Sequence, residues 1–244
     1  MSEILAPCGA QESLSAAVNA GADAVYLGEE YFSARKNADN FTAEQLCEAV
    51  RFCHYNGVKV YVTLNTLVFD KEIPLLTKAI ENCAKADVDG FIVRDMGVAR
   101  LARQIVPEMP LHASTQMTVN SPEGAIMAKK LGFTRVVLGR ELSYEQIKAV
   151  IDSCDIETEL FVHGALCVCL SGQCYMSSVL GGRSGNRGLC AQPCRLDFTS
   201  GDRHNVLSLK DLSLIESLSE LEKLGVTSFK IEGRMKRPEY VAGA

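Results

Sequence analysis

Short apolar runs, each followed by a stretch whose apolar positions fall three and four apart, recur along the chain. The first run, Ile4-Leu5-Ala6, ends at Pro7 and Gly9, after which Leu14, Ala17, Val18 and Gly21 keep a helical period. Residues 23–28 (DAVYLG) and 59–65 (KVYVTLN) read as the second and third strands. Between them Thr42 and Gln45 form a capping box ahead of Leu46, Ala49, Val50 and Cys53, one face of a helix. A helix over 73–86 follows. Further strands are predicted at 91–93, 111–116, 135–138, 159–162 and 229–232. Ser121 with Pro122, and Ser143 with Gln146, open the helices behind the fifth and sixth strands. A helical period also covers 212–224, just before the last strand.

Eight strand-then-helix units, read as parallel throughout, match a (β/α)8 barrel of the α/β class better than an open doubly wound sheet. A chain of 244 residues suits one such domain over 1–244, with 164–206 as a cysteine-rich insertion after the seventh strand. In a barrel that insertion lies over the C-terminal mouth, where chemistry is placed. The eighth helix is cut short soon after Pro238, so the chain reads as a fragment of a longer protein. Strand parity puts Tyr61, Thr63 and Asn65, His112, Ser114 and Gln116, and Lys230 with Glu232 on inward faces.

Five of the ten cysteines, Cys167, Cys169, Cys174, Cys190 and Cys194, crowd into the insertion. No apolar run reaches the roughly 18 residues of a membrane span, and the N-terminus lacks a basic region followed by an apolar core. The expected location is therefore cytoplasmic, without a membrane partner, where thiols stay reduced and such a group points to a metal or iron–sulfur centre rather than disulfides. Zinc uses the same thiolates, and loop cysteines also serve as plain packing. Cys47, Cys53, Cys83 and Cys154 sit on predicted helices or their ends, as ordinary buried thiols do. The net charge of −5 argues against a nucleic-acid binder that works by bulk charge, leaving local basic stretches around Arg183 and Arg187 and over 230–237 to guide RNA.

The runs EILAPCG, AAVNAGADAVYLG, KVYVTLNTLVFD, LHASTQMTVNSPEG, FVHGALCVCLSGQCYMSS, GGRSGNRGLCAQPCR and KIEGRMKRPEYV together resemble the N-terminal domain of the collagenase-like peptidase family U32. The resemblance covers essentially the whole chain. It implies oxygen-independent hydroxylation of RNA bases or of ubiquinone precursors, with prephenate as co-substrate in the RNA-modifying members and an iron–sulfur cluster, of 4Fe-4S type, on the signature cysteines. The GGRSGNRGLCAQPCR loop is closer to the ribosomal-RNA cytidine type than to the tRNA-uridine type. By similarity the ligands are Cys167, Cys174, Cys190 and Cys194, with Cys169 in reserve. Ser213 stands where some relatives have a ligand, and Cys8 where the family more often has Ala.

His163, Lys230 and Glu232, at strand ends, are the candidate catalytic groups. Arg94, Arg140 and Arg234 are the candidate grip on a small dicarboxylate such as prephenate, since guanidinium forks match carboxylates. Rim salt bridges among these residues are the plainer alternative. The family label keeps a peptidase reading open: there is no His-Glu-x-x-His run and no Gly-x-Ser-x-Gly elbow, but Cys167 or Cys169 with His163 would make a nucleophile–base pair. A third reading is a non-catalytic iron–sulfur scaffold within a hydroxylase assembly. The pattern is silent on the oligomeric state.

Overall fold

A computed structural model describes residues 1–35 and 38–244. Its strands are β1 (Glu3–Pro7), β2 (Ala24–Leu27), β3 (Lys59–Leu64), β4 (Gly90–Val93), β5 (Leu111–Ala113), β6 (Arg135–Val137), β7 (Glu157–Gly164), β8 (Leu212–Ser213) and β9 (Ser228–Ile231). The helices are α1 (Gln11–Asn19), α2 (Ala43–Tyr55), α3 (Ile73–Lys85), α4 (Met96–Ile105), α5 (Pro122–Lys130), α6 (Tyr144–Ser153), α7 (Met176–Gly181), α8 (Leu218–Leu224) and α9 (Pro238–Gly243). Consecutive strands β1 to β7 pair in parallel, β7 pairs with β9, and β9 returns to β1, closing the barrel expected from the repeat. β8 is a short antiparallel addition at the mouth, His163 opposite Ser213. Among the described residues no helix is long and apolar enough to cross a membrane.

The strands divide their side chains between two environments. Val25, Leu27, Val60, Val62, Phe91 and Val93 face outward and join Leu14, Leu46, Val50 and Ile80 of the helices in the main core. Burying each of these apolar side chains contributes about 1.5–3 kcal/mol. Leu5, Ala24, Tyr26, Tyr61 and Ile92 form a smaller cluster inside the barrel. The predicted caps are present, with reciprocal bonds between Thr42 and Gln45 and between Ser143 and Gln146, and with Ser121 Oγ accepting from Gly124.

Three elements differ from expectation. The fifth strand stops at Ala113 because Ser114 turns its hydroxyl onto the Gln116 backbone NH and starts a 3-10 turn, Thr115–Met117. The helix predicted over 212–224 begins only at Leu218: Leu212 and Ser213 are taken by the edge of β7, and a 3-10 turn, Ile215–Ser217, bridges to α8. α4, for which the sequence pattern gives no separate expectation, fills the return from β4 to β5, its N-terminus capped by the Asp95 carboxylate on Gly97 and Val98.

Candidate functional site

The C-terminal ends of the strands frame a narrow cleft lined by Tyr26, Arg35, Arg140, Phe161, Lys230, Glu232 and Arg234, with Thr63, Asn65, Ser114 and Gln116 on its wall. Glu232 and Arg234 project from the turn after β9. The carbonyl of Arg234 would lie 1.9 Å from a Cβ at position 9, so only glycine lets the loop after β1 pass beside it.

Glu232 is the hub. Its carboxylate accepts from Arg35 Nη2 at 3.1 Å and from Arg140 Nη2 at 2.8 Å. Burial alone would raise this carboxyl, but the guanidiniums of Arg35, Arg140 and Arg234 outweigh it and bring its pKa down to about 2. Arg234 is 5% exposed and, among the described residues, its side chain donates only to hydroxyls, Ser33 Oγ at 2.6 Å and Thr63 Oγ1 at 2.8 Å. Burial first, and Arg35 second, lower its pKa to about 10. Arg140 also lies 3.8 Å over the Phe161 ring and donates to the Ala165 carbonyl. Among the described residues, three guanidiniums therefore surround one carboxylate at the mouth, Arg35 and Arg140 bonded to it and Arg234 acting on it at longer range, an arrangement that holds an excess of positive charge, buried at Arg234 and partly buried at the other two.

Below the cleft the balance is different. Lys230 Nζ sits 2.7 Å from Glu159, whose other oxygen is 3.3 Å from Arg135 Nη1. Arg135 also reaches Glu3 at 2.6 Å and Glu157 at 2.8 Å, and Tyr61 and Ser228 donate to Glu3. His112 lies in the same layer, its ring 4.6 Å from that of Tyr61. Burial, then Arg135 and Lys230, push its pKa well below the usual histidine range, so it is neutral.

The insertion rests on the rim through several specific contacts. Gly172, at φ +78°, lies so close to the Gln116 backbone that a Cβ would come within 2.4 Å of its carbonyl. Thr118 Oγ1 donates to Ser171 O at 2.8 Å, and Glu141 accepts from both the amide and the hydroxyl of Ser171. Arg187 makes a two-pronged bond to Glu72, at 2.6 and 3.0 Å, and lies 4.6 Å over the Phe69 ring. All five insertion cysteines are free; Cys167 and Cys190 are exposed and the others half-buried. Gly185 lies between Cys174 and Cys190. Burial raises the Cys194 thiol, and the neighbouring Cys167, Cys190 and Cys174 add to the rise while Arg195 opposes it. Burial and Cys174 do the same to Cys169. The thiols are neighbours, but among the described residues no three His, Cys, Asp or Glu side chains close on one point to hold a single metal ion.

Of the residues singled out in the sequence, Lys230, Glu232, Arg140 and Arg234 meet in the cleft. Arg94 does not line it: its guanidinium spans Gln116 Oε1 and the Gly172 carbonyl, pinning the insertion to the rim. His163 is also apart. A bulge between Phe161 and His163 shifts the register against β9, and the ring lies 5.7 Å from that of Tyr240. Among the described residues no hydrogen bond joins His163 to Cys167 or Cys169. Sequence reasoning missed Arg35, which takes the third guanidinium position from a loop with no periodicity, and Glu159 with Arg135, which look like ordinary strand residues.

Comparison with known proteins adds relatives to this geometry. The model for peptidase family U32 matches residues 9–244. The chain is 42% identical to the 23S rRNA 5-hydroxycytidine C2501 synthase of Escherichia coli, covering 98% of this chain and 37% of that protein. It is 39% identical to tRNA hydroxylation protein P1 of Bacillus subtilis, covering 98% of this chain and 60% of that protein. The chain thus spans less than two thirds of the length of either. Among solved structures, the U32 peptidase Mk0906 superposes with a TM-score of 0.66 at 15% identity, over 96% of this chain and 93% of that one, a likeness of fold.

Proposed function

Because the chain belongs to peptidase family U32, we propose that its barrel serves an oxygen-independent, iron–sulfur-dependent hydroxylation of RNA bases, forming 5-hydroxycytidine or 5-hydroxyuridine in ribosomal or transfer RNA with prephenate as co-substrate. The observation that carries this reading is the cleft, where Arg35, Arg140 and Arg234 face a single carboxylate, Glu232. An excess of positive charge in a cleft is stabilised by an anion, and guanidinium forks suit carboxylates. The names of the two relatives, both RNA hydroxylation proteins, support the reaction class. A cytoplasmic location goes with an RNA substrate.

Within this reading Arg140 and Arg234 hold the carboxylates of the co-substrate, with Arg35 beside them. Glu232, kept ionised, fixes the two guanidiniums it touches rather than accepting a proton. Lys230 offers a hydrogen bond from the floor of the cleft. Cys167, Cys174, Cys190 and Cys194 would hold the cluster, with Cys169 as the alternative fourth ligand. An all-thiol set suits either an iron–sulfur cluster or zinc, and membership of the family supplies the preference for the cluster. When bound, the cluster supplies electron transfer. RNA approaches over the insertion and the basic stretch ending at Lys236 and Arg237.

The test is mass spectrometry of nucleosides from ribosomal and transfer RNA of a strain lacking the gene. A hydroxylated pyrimidine is expected to disappear, and to return with the wild-type protein but not with Cys190→Ser; unchanged RNA in the deletion strain would overturn the reading. Protein purified without oxygen is expected to contain iron and sulfide, with absorption near about 400 nm. Stoichiometric zinc in its place would refute the cluster. A cluster without effect on RNA would favour the scaffold, and cleavage of denatured collagen lost in Cys167→Ser would favour the peptidase.

A further inference from the structure

The least expected feature of the barrel interior is that the lysine on the cleft floor is braced from below. Lys230 is 3% exposed and its Nζ makes one hydrogen bond among the described residues, 2.7 Å to Glu159. Glu159 is fully buried and cannot swing away, because Arg135 engages its second oxygen while being tied to Glu3 and Glu157. The walls are aromatic: Nζ lies 4.1 Å from the Tyr26 ring centroid and 5.4 Å from that of Phe161. An ammonium has three donors, so this geometry leaves capacity for a ligand in the cleft above.

We propose that Glu159 is a positioning residue of the cleft: acting through Lys230, it holds an ammonium charged and fixed on the floor, as the hydrogen-bond donor to a bound dicarboxylate. The inference rests on the reading of the cleft as a dicarboxylate site and adds the residue that sets the state of its floor. A buried ammonium without a carboxylate partner gives up its proton. The groups around Lys230 pull in both directions. Burial and then Arg234 favour the neutral amine, while Glu159 and Glu232 favour the ammonium. Arg135 beyond Glu159 and the neutral His112 add no negative charge. Of the two carboxylates, Glu232 is already engaged by Arg35 and Arg140, so Glu159 is the partner on which the charge depends.

The experiment uses Glu159→Gln, which keeps the size and one acceptor but removes the charge. Titration of the Lys230 amine by NMR of lysine-labelled protein, with no ligand present, is expected to show its pKa falling by more than one unit relative to wild type. Prephenate, used as the probe in calorimetry, is expected to bind the variant about tenfold or more weakly at pH 8 and to regain affinity as the pH is lowered and the ammonium returns, whereas wild-type affinity stays flat. A loss equal at every pH, or an unshifted amine, would overturn the inference. If the amine shifts as expected but wild-type protein does not bind prephenate, the dicarboxylate reading fails and the control of Lys230 by Glu159 stands. Should Glu159→Gln not fold, the neutral pair Glu159→Gln with Lys230→Met is expected to restore folding. Failure of that pair as well would make Glu159 a scaffold residue and end the proposal.

Discussion

Two groups of charges lie one above the other in this barrel, the lower one buried and the upper one mostly half-buried, and they are built on opposite plans. The floor alternates sign: Lys230, Glu159, Arg135 and Glu3 each touch a partner of the other charge. The mouth does not, since Arg35, Arg140 and Arg234 share Glu232. Buried ion pairs lose most when one member is removed, because the survivor stays desolvated. A cluster of one sign instead relaxes when a member is removed or a counter-ion arrives. The floor should therefore lose stability when one member is removed, whereas the mouth should tolerate the loss of one of its guanidiniums.

The sharpest test of that contrast is Glu159→Ala, which leaves Lys230 without its carboxylate and Arg135 with less compensation. A loss of about 3–5 kcal/mol is expected in denaturant unfolding. Acid offers a second test. The depressed pKa of Glu232 adds stability that is fully present above the unfolded carboxylate pKa of about 4.3 and is lost as the pH falls through the folded value of about 2. Wild type is expected to lose up to about 3 kcal/mol from this group across that window, a component absent in Glu232→Gln. Arg234→Met reverses the logic: its hydroxyl partners Ser33 and Thr63 also bond each other at 3.1 Å, so unfolding should change by about 1 kcal/mol or less. Prephenate affinity in the same variant should fall about a hundredfold, by calorimetry. A large loss of stability there would break the distinction between floor and mouth. The most local effect is expected at Arg187→Ala, about 1 kcal/mol, seen as faster amide exchange in the insertion because the half-exposed clasp to Glu72 is gone.

The barrel was legible because its strands alternate cleanly and its helices carry explicit caps at Thr42, Ser121 and Ser143. The departures are places where long-range pairing overrode a local pattern. Leu212, Ile215, Leu218 and Leu221 keep a helical period, yet β7 captures the first turn as a strand. Within the site, residues borne on regular strand ends were readable, as Lys230 and Glu232 show. His163 also stands at a strand end but apart from the cleft, because the bulge beside it is invisible in the hydrophobic pattern. Arg35 carries no periodic signal, and its place beside Glu232 depends on a contact 197 residues away in the chain. Glu159 and Arg135 were hidden for a different reason: a polar residue in a strand looks the same whether it meets water or a buried partner.

Ring closure has a consequence for biosynthesis. β1 and β7 both complete their pairing on β9, through Glu3 opposite Ser228 and Leu160 opposite Phe229. Until the ribosome has released that last strand, both neighbours carry open edges of the kind that chaperones shield. The same few codons deliver Glu232 and Arg234, so the nascent polypeptide gains its closed cylinder and the charges of its cleft in one event.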